Sequence, residues 1–197
     1  FRPYMSLGDY TEACIFQDPD TIPPVIARFS SILVDKGTAD TKRNVKGLSI
    51  KFIADDNEYD MICHNIPVNI INNKNKMLDM FKAFFIKEYF DGINTEEFWR
   101  YVLKNNEALP FALMLFSGMG ISDRYIDIKY YAVNTCIWEN NEGQEHFVRY
   151  KWMPVYDGKS KHVQTSHKCG RRGQKIRKER LKICRISFGT ISIMRIG

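Results

Sequence analysis

A chain of 197 residues with 44% apolar and 26% charged residues has the length and composition of a globular protein with one sizeable core. No run of about 18 apolar residues occurs, which excludes an ordinary transmembrane helix. The net charge of +6 is unevenly placed: residues 1–158 hold 17 basic and 22 acidic side chains, whereas residues 159–197 hold 12 and one. A mildly acidic body with a basic tail makes whole-chain charge a poor guide to partners.

No signal peptide is visible, and the start at Phe1 rather than Met is read as a missing N-terminus. Residues 1–23 contain a short strand candidate around Thr11–Phe16, closed by the turn residues Asp18-Pro19-Asp20. Pro23 and Pro24 lead into a strand in which Val25, Ala27, Phe29 and Ser31 alternate with Ile26, Arg28, Ser30 and Ile32. Gly37–Lys46 is polar and reads as a surface loop, after which Leu48, Ile50 and Phe52 alternate with Ser49 and Lys51. Arg28 sits within an apolar strand and predicts a buried anion, since an unpaired buried charge costs several kcal/mol. That anion is an internal carboxylate or a carboxylate-bearing ligand.

Ala54–Glu58 reads as a tight turn, and the nearly continuous apolar run Tyr59–Ile71 as a strand buried on both faces. His64, Asn65 and Asn69 interrupt that run; each is a satisfied structural hydrogen-bonding group or part of a site. Met77, Met80, Phe81, Phe84, Phe85 and Tyr89 follow helical spacing over Lys76–Tyr89, a stripe more typical of a core than of a cofactor box. Thr95 with Glu96 and Glu97 marks a second helix start, and residues 107–121 a third helix ending near Gly118 or Gly120. Strands at Tyr130–Trp138 and His146–Pro154 flank the turn Asn140–Gly143, with Val148, Tyr150 and Trp152 on one face. Periodicity alone supports an α+β protein with an antiparallel sheet.

Five cysteines without CxxC spacing point to reduced thiols and, with them, a cytoplasmic setting. His167, Cys169 and Cys184 lack the spacing of a zinc site.

Three stretches together resemble the haem catalases. Ala27-Arg28-Phe29-Ser30 matches an (A/V)RFS strand, Ala39-Asp40-Thr41-Lys42-Arg43 an (S/A)ADT-x-R loop, and Gly47-Leu48-Ser49-Ile50-Lys51-Phe52 a G-x-(A/S)-(V/I)-K-F strand. Tyr131–Thr135 and Val148–Trp152 match two later strands of that family. The resemblance covers residues 1–158 and implies a partial antiparallel β-barrel with inserted helices, followed by a tail, residues 159–197, outside the family pattern. A reading-frame shift near Lys161–Thr165 accounts for such a tail; the competing reading is a basic arm for nucleic acid or an anionic membrane.

The resemblance implies decomposition of hydrogen peroxide to oxygen and water on haem b, in the response to oxidative stress. Arg28 then stands where the family binds a haem propionate, and Ser30 where it orients the distal histidine. Cys63-His64-Asn65-Ile66-Pro67-Val68-Asn69 aligns with G-N-N-x-P-(I/V)-F, placing His64 at the distal asparagine and Asn69 at a haem-packing phenylalanine; Met77 replaces a second one. The H-A-(K/R)-G segment of the distal histidine and the R-x-F-x-Y segment of the axial tyrosine have no match in this chain. The implied partners are hydrogen peroxide and, in an intact parent, further copies of the chain, with no nucleic acid and no membrane. The alternatives are a catalase-related peroxidase using organic reductants, a non-catalytic relic of the fold, and a nucleic-acid binder acting through its tail.

Overall fold

The computed structural model describes residues 1, 3–31, 40–54, 58–85, 95–122, 124–154 and 188–194. The first regular element is a short helix, α1 (Cys14–Gln17), where the sequence suggests a strand over 11–16. Thr11 Oγ1 accepts the N–H of Ala13 at 3.1 Å, a local side-chain turn that diverts the backbone from a strand. Ile15 and Phe16 of this helix are buried.

Strands β1 (Val25–Ser31), β2 (Lys46–Ile53) and β3 (Glu58–His64) form an antiparallel meander. Next along the sheet come β4 (Tyr130–Tyr131) and β5 (Cys136–Glu139), which lie end to end on one edge of β6 (Glu145–Pro154). The single strand read over Tyr130–Trp138 is thus interrupted, although Ala132 N–H still donates to the Tyr150 carbonyl at 3.0 Å. The last strand, β7 (Phe188–Met194), pairs antiparallel with β6. It falls within the stretch read as a tail; residues 155–187, including His167, Cys169 and Cys184, lie outside the described residues. The sheet is antiparallel throughout and open, a partial barrel.

One face of the sheet is a core of alternate residues. Leu48, Ile50 and Phe52 of β2, Met61 and Cys63 of β3, and Val148, Tyr150 and Trp152 of β6 are all buried on it, with Ile15, Phe16, Tyr130 and Trp138. The β5–β6 turn closes on Gly143, whose φ of +76° favours glycine. Asn140 Oδ1 accepts the N–H groups of Glu142 and Gln144 across the same turn.

Helices α2 (Lys74–Phe85), α3 (Thr95–Lys104) and α4 (Leu109–Phe116) enclose a second core. Met80, Phe98, Val102, Phe111 and Leu115 meet there with Val45 and Ile66, which flank the ends of β2 and β3. The expected helix over Lys76–Tyr89 starts two residues earlier; its residues 86–89 are outside the described ones.

The ADTKR loop joins the two cores. Arg43 Nη1 donates to the carbonyls of Leu115 at 2.7 Å and Ser117 at 2.6 Å, and its guanidinium lies 5.5 Å from the Phe116 ring centre. A cation thus sits at the negative end of α4. Asn44 N–H donates to the Gly120 carbonyl at 2.9 Å. Lys46, 1% exposed, donates from Nζ to the carbonyls of Asp40 at 2.6 Å and Lys42 at 3.2 Å, which satisfies the charge its burial strips of water. Burial nevertheless lowers its pKa from the ordinary lysine range, the nearby Asp40 carboxylate opposing the shift.

Candidate functional site

Residues directly opposite in an antiparallel ladder share a face, so the strand register decides which candidates meet. Arg28 pairs with Ser49, and Ser49 with Ile62. One row along, Ser30 pairs with Gly47, Gly47 with His64, His64 with Tyr131, and Tyr131 with Lys151. Arg28, Ser30 and His64 therefore lie on one side of the sheet, opposite the aromatic core. Gly47 has no side chain and is buried; Ser30 and His64 stand about 10 Å apart on either side of it, at two strand spacings.

The face is open. β1 is the outer strand, with Ile26, Ala27 and Arg28 exposed. This corrects the sequence expectation of a buried Arg28: three consecutive residues of this edge strand are exposed, and an exposed guanidinium needs no internal carboxylate. The expectation that the Tyr59–Ile71 strand is buried on both faces is corrected too. Ile62 is 77% exposed, and β3 ends at His64.

The bend after His64 has a specific cause. Asn65 Oδ1 accepts the Lys46 N–H at 3.0 Å, its N–H donates to the Lys46 carbonyl at 3.0 Å, and its Nδ2 donates to the Met119 carbonyl at 2.6 Å. Asn65 thereby ties β2, β3 and the end of α4 together, and Pro67 has no N–H with which to resume a ladder. Asn65 is a satisfied structural residue, 3% exposed.

His64 is half-buried, and its Nδ1 accepts the N–H of Ile66 at 3.3 Å. A ring nitrogen that accepts carries no proton, so the neutral ring is the Nε2–H tautomer. Burial lowers the pKa of His64 from the ordinary histidine value. His64 is thus a neutral side chain with Nε2–H as its donor.

The remaining candidates lie beyond the bend. Asn69 is exposed; its amide donates to Asn72 Oδ1 at 2.9 Å and its Oδ1 accepts the Ile70 N–H at 2.9 Å. Met77 packs on the helical core. The register brings Arg28, Ser30 and His64 together; Asn69 and Met77 belong to the loop and helix that follow.

Sequence reasoning missed Ile62 and Lys151. Both follow from counting by two from a residue already on the face, once the pairing of the strands is known. Lys51 is neutralised by Glu58 and Asp60. Lys151 Nζ lies 5.7 Å from the Tyr131 ring centre, and Arg149 Nε donates to Thr135 Oγ1 at 3.2 Å. With Arg28 these side chains make the face cationic and partly apolar. A cavity of about 410 Å³ among Tyr10, Asn140, Glu142 and His146 shares no residue with it. Among the described residues no three His, Cys, Asp or Glu side chains are grouped to hold a metal ion.

A solved chain titled "Structure of a bacterial catalase" superposes with a TM-score of 0.71 at 22% identity, over 77% of this chain and 29% of that one. This likeness establishes the fold as that of part of a larger β-sheet protein. The sequence itself matches the family described as Catalase over residues 1–183, and the chain belongs to the catalase family. It is 32% identical over 159 residues to Catalase-2 of Bacillus subtilis (strain 168) and 31% identical over 158 residues to Catalase isozyme B of Oryza sativa subsp. japonica. The matches cover 79% of this chain but 23% and 32% of those relatives, so the chain spans between about a quarter and a third of their length.

Proposed function

We propose that this chain is a segment of a haem-dependent oxidoreductase that decomposes hydrogen peroxide, and that its open sheet face meets the haem. The observation that carries the reading is the register: Arg28, Ile62, Ser30, Gly47 and His64 fall on one face in adjacent rows. That donor set fits the group. A haem is a flat apolar macrocycle with two carboxylates at one edge, and the face offers an exposed isoleucine and an exposed arginine in one row of the sheet.

Each residue has a defined task. Arg28 binds a propionate through charge-assisted hydrogen bonds, which strengthen as the ligand excludes water. Ile62 packs against the ring. His64 donates from Nε2 to a peroxide oxygen, in place of the family's asparagine amide, and its lowered pKa keeps it neutral for that task. Ser30 orients a distal base supplied from outside this chain. When bound, the haem supplies two-electron redox chemistry through its iron. The parent is read as a cytoplasmic homo-oligomer using haem b, in the response to oxidative stress.

The test is the absorption spectrum of the haem-replete complete gene product, recorded beside oxygen release from peroxide. A Soret band with oxygen release supports the reading. A Soret band with oxidation of organic donors and no oxygen supports a catalase-related peroxidase, and absence of bound haem contradicts both.

A further inference from the structure

The aromatic face of the sheet carries a group of oxidisable side chains that the peroxide chemistry proposed for the other face does not use. Tyr150, 3% exposed, sits at its centre. Its hydroxyl accepts the Nε1–H of Trp138 at 2.7 Å and lies 2.7 Å from the hydroxyl of Tyr59. The Trp138 and Tyr150 rings are 5.9 Å apart, and the Tyr59 and Tyr150 rings 6.3 Å. Nearby, Trp152 Nε1–H donates to Met61 Sδ at 3.0 Å. Phenols, indoles, thioethers and thiols are the side chains that lose an electron most readily. Here they touch one another inside one sheet.

A buried phenol loses an electron only if its proton leaves too, because the phenol radical cation is a strong acid. Tyr150 has the means. Tyr59 oxygen lies 2.7 Å away, within reach to take that proton, and the Trp138 N–H stabilises the oxygen left behind. Burial holds the Tyr150 proton tightly in the resting state, raising its pKa.

We propose that Tyr150, Tyr59 and Trp138 form a one-electron relay that stores an oxidising equivalent as a neutral phenoxyl radical on Tyr150. In the step, Tyr150 gives one electron to a one-electron oxidant and its O–H bond breaks. The proton crosses to Tyr59 oxygen, and the half-buried Tyr59 releases its own proton outward to water. The products are the oxidant reduced by one electron, one phenoxyl radical and one solvent proton. A hydrogen-atom donor such as ascorbate restores the phenol. The relay's use, discharging stray oxidising equivalents from the site, rests on the function proposed above. Its route is short: His64 and Cys63 are consecutive on β3 and face opposite sides, and Cys63 packs in the same core as Trp152 and Tyr150.

The test needs no haem. The full chain is oxidised by light with ruthenium tris-bipyridine and persulfate, frozen, and read by electron paramagnetic resonance. A hydrogen-bonded tyrosyl signal is expected, persisting in Tyr4→Phe, whose residue is 99% exposed, and lost in Tyr150→Phe. An undiminished signal in Tyr150→Phe overturns the proposal. Should that variant fail to fold, Tyr59→Phe keeps Tyr150 but removes its proton acceptor. It is expected to lose the signal, and an unchanged signal there is equally decisive against the relay. Because the oxidant is external, loss of the relay leaves the haem reading standing, and a chain that binds no haem still reports on the relay.

Discussion

The N–H of Ile66 donates to Nδ1 of His64 at 3.3 Å, which leaves the proton of the neutral ring on Nε2. This contact fixes the tautomer of His64, with Nε2–H as its donor. It also has a pH signature. Burial lowers the pKa of His64 below the ordinary value of 6.5, so the unfolded chain takes up the proton before the folded one does. The resulting stability is fully present above about pH 6.5 and is lost as pH falls through the window below it. Comparing urea midpoints of the parent chain and His64→Asn from pH 7.5 to 5 cancels the other histidines. The parent is expected to lose more stability over that range; parallel curves would show that His64 is not desolvated.

Arg43 links the loop of the ADTKR motif to the end of α4 by two carbonyl hydrogen bonds and a stacking contact. Arg43→Ala is expected to lower stability by about 1–3 kcal/mol, since it strands carbonyls at a helix end and removes a cation there. Arg43→Lys recovers only part of this, because an ammonium cannot reproduce the planar fork over Phe116. Denaturant unfolding reads both, with an unchanged slope indicating that stability alone has moved.

Gly120 and Gly118 stand two residues apart and differ sharply in what surrounds them. A Cβ at Gly120 would lie 1.9 Å from the Leu115 carbonyl oxygen, whereas one at Gly118 would meet nothing within 4 Å. Backbone cannot yield as a flexible side chain does, so Gly120→Ala is expected to cost about 2 kcal/mol or more. Gly118→Ala should stay within about 0.5 kcal/mol of the parent. Thermal unfolding of the pair provides the check, and equal midpoints would refute the close packing of Gly120 on α4.

The strands and helices were legible where period and turn chemistry agree. Val148, Tyr150 and Trp152 are buried as their alternation indicates, and α3 starts at Thr95. Two features were not legible, for one physical reason: a run of apolar residues does not say which faces will be covered. Arg28 and Ile62 both lie in apolar strands yet are exposed, whereas Gly47, one row along on the same side of the sheet, is buried. Thr11–Phe16 shows a different limit, where a threonine hydroxyl competing for a backbone N–H outweighs β-propensity. His64, Arg28 and Ser30 were found by motif and joined by register; Asn69 and Met77 were found the same way, but no register places them on the sheet face.

The claim that the open face holds haem is tested most directly at Ile62. The side chain is 77% exposed, so Ile62→Asp buries no charge in the free chain and should leave its unfolding midpoint within about 0.5 kcal/mol of the parent. Against a bound macrocycle the same carboxylate is desolvated and repels the propionates. The measurement is Soret absorbance per mole of complete gene product, parent against Ile62→Asp, after haem-replete expression. Loss of the band with unfolding unchanged is the predicted result; an equal band in both would contradict haem binding on this face.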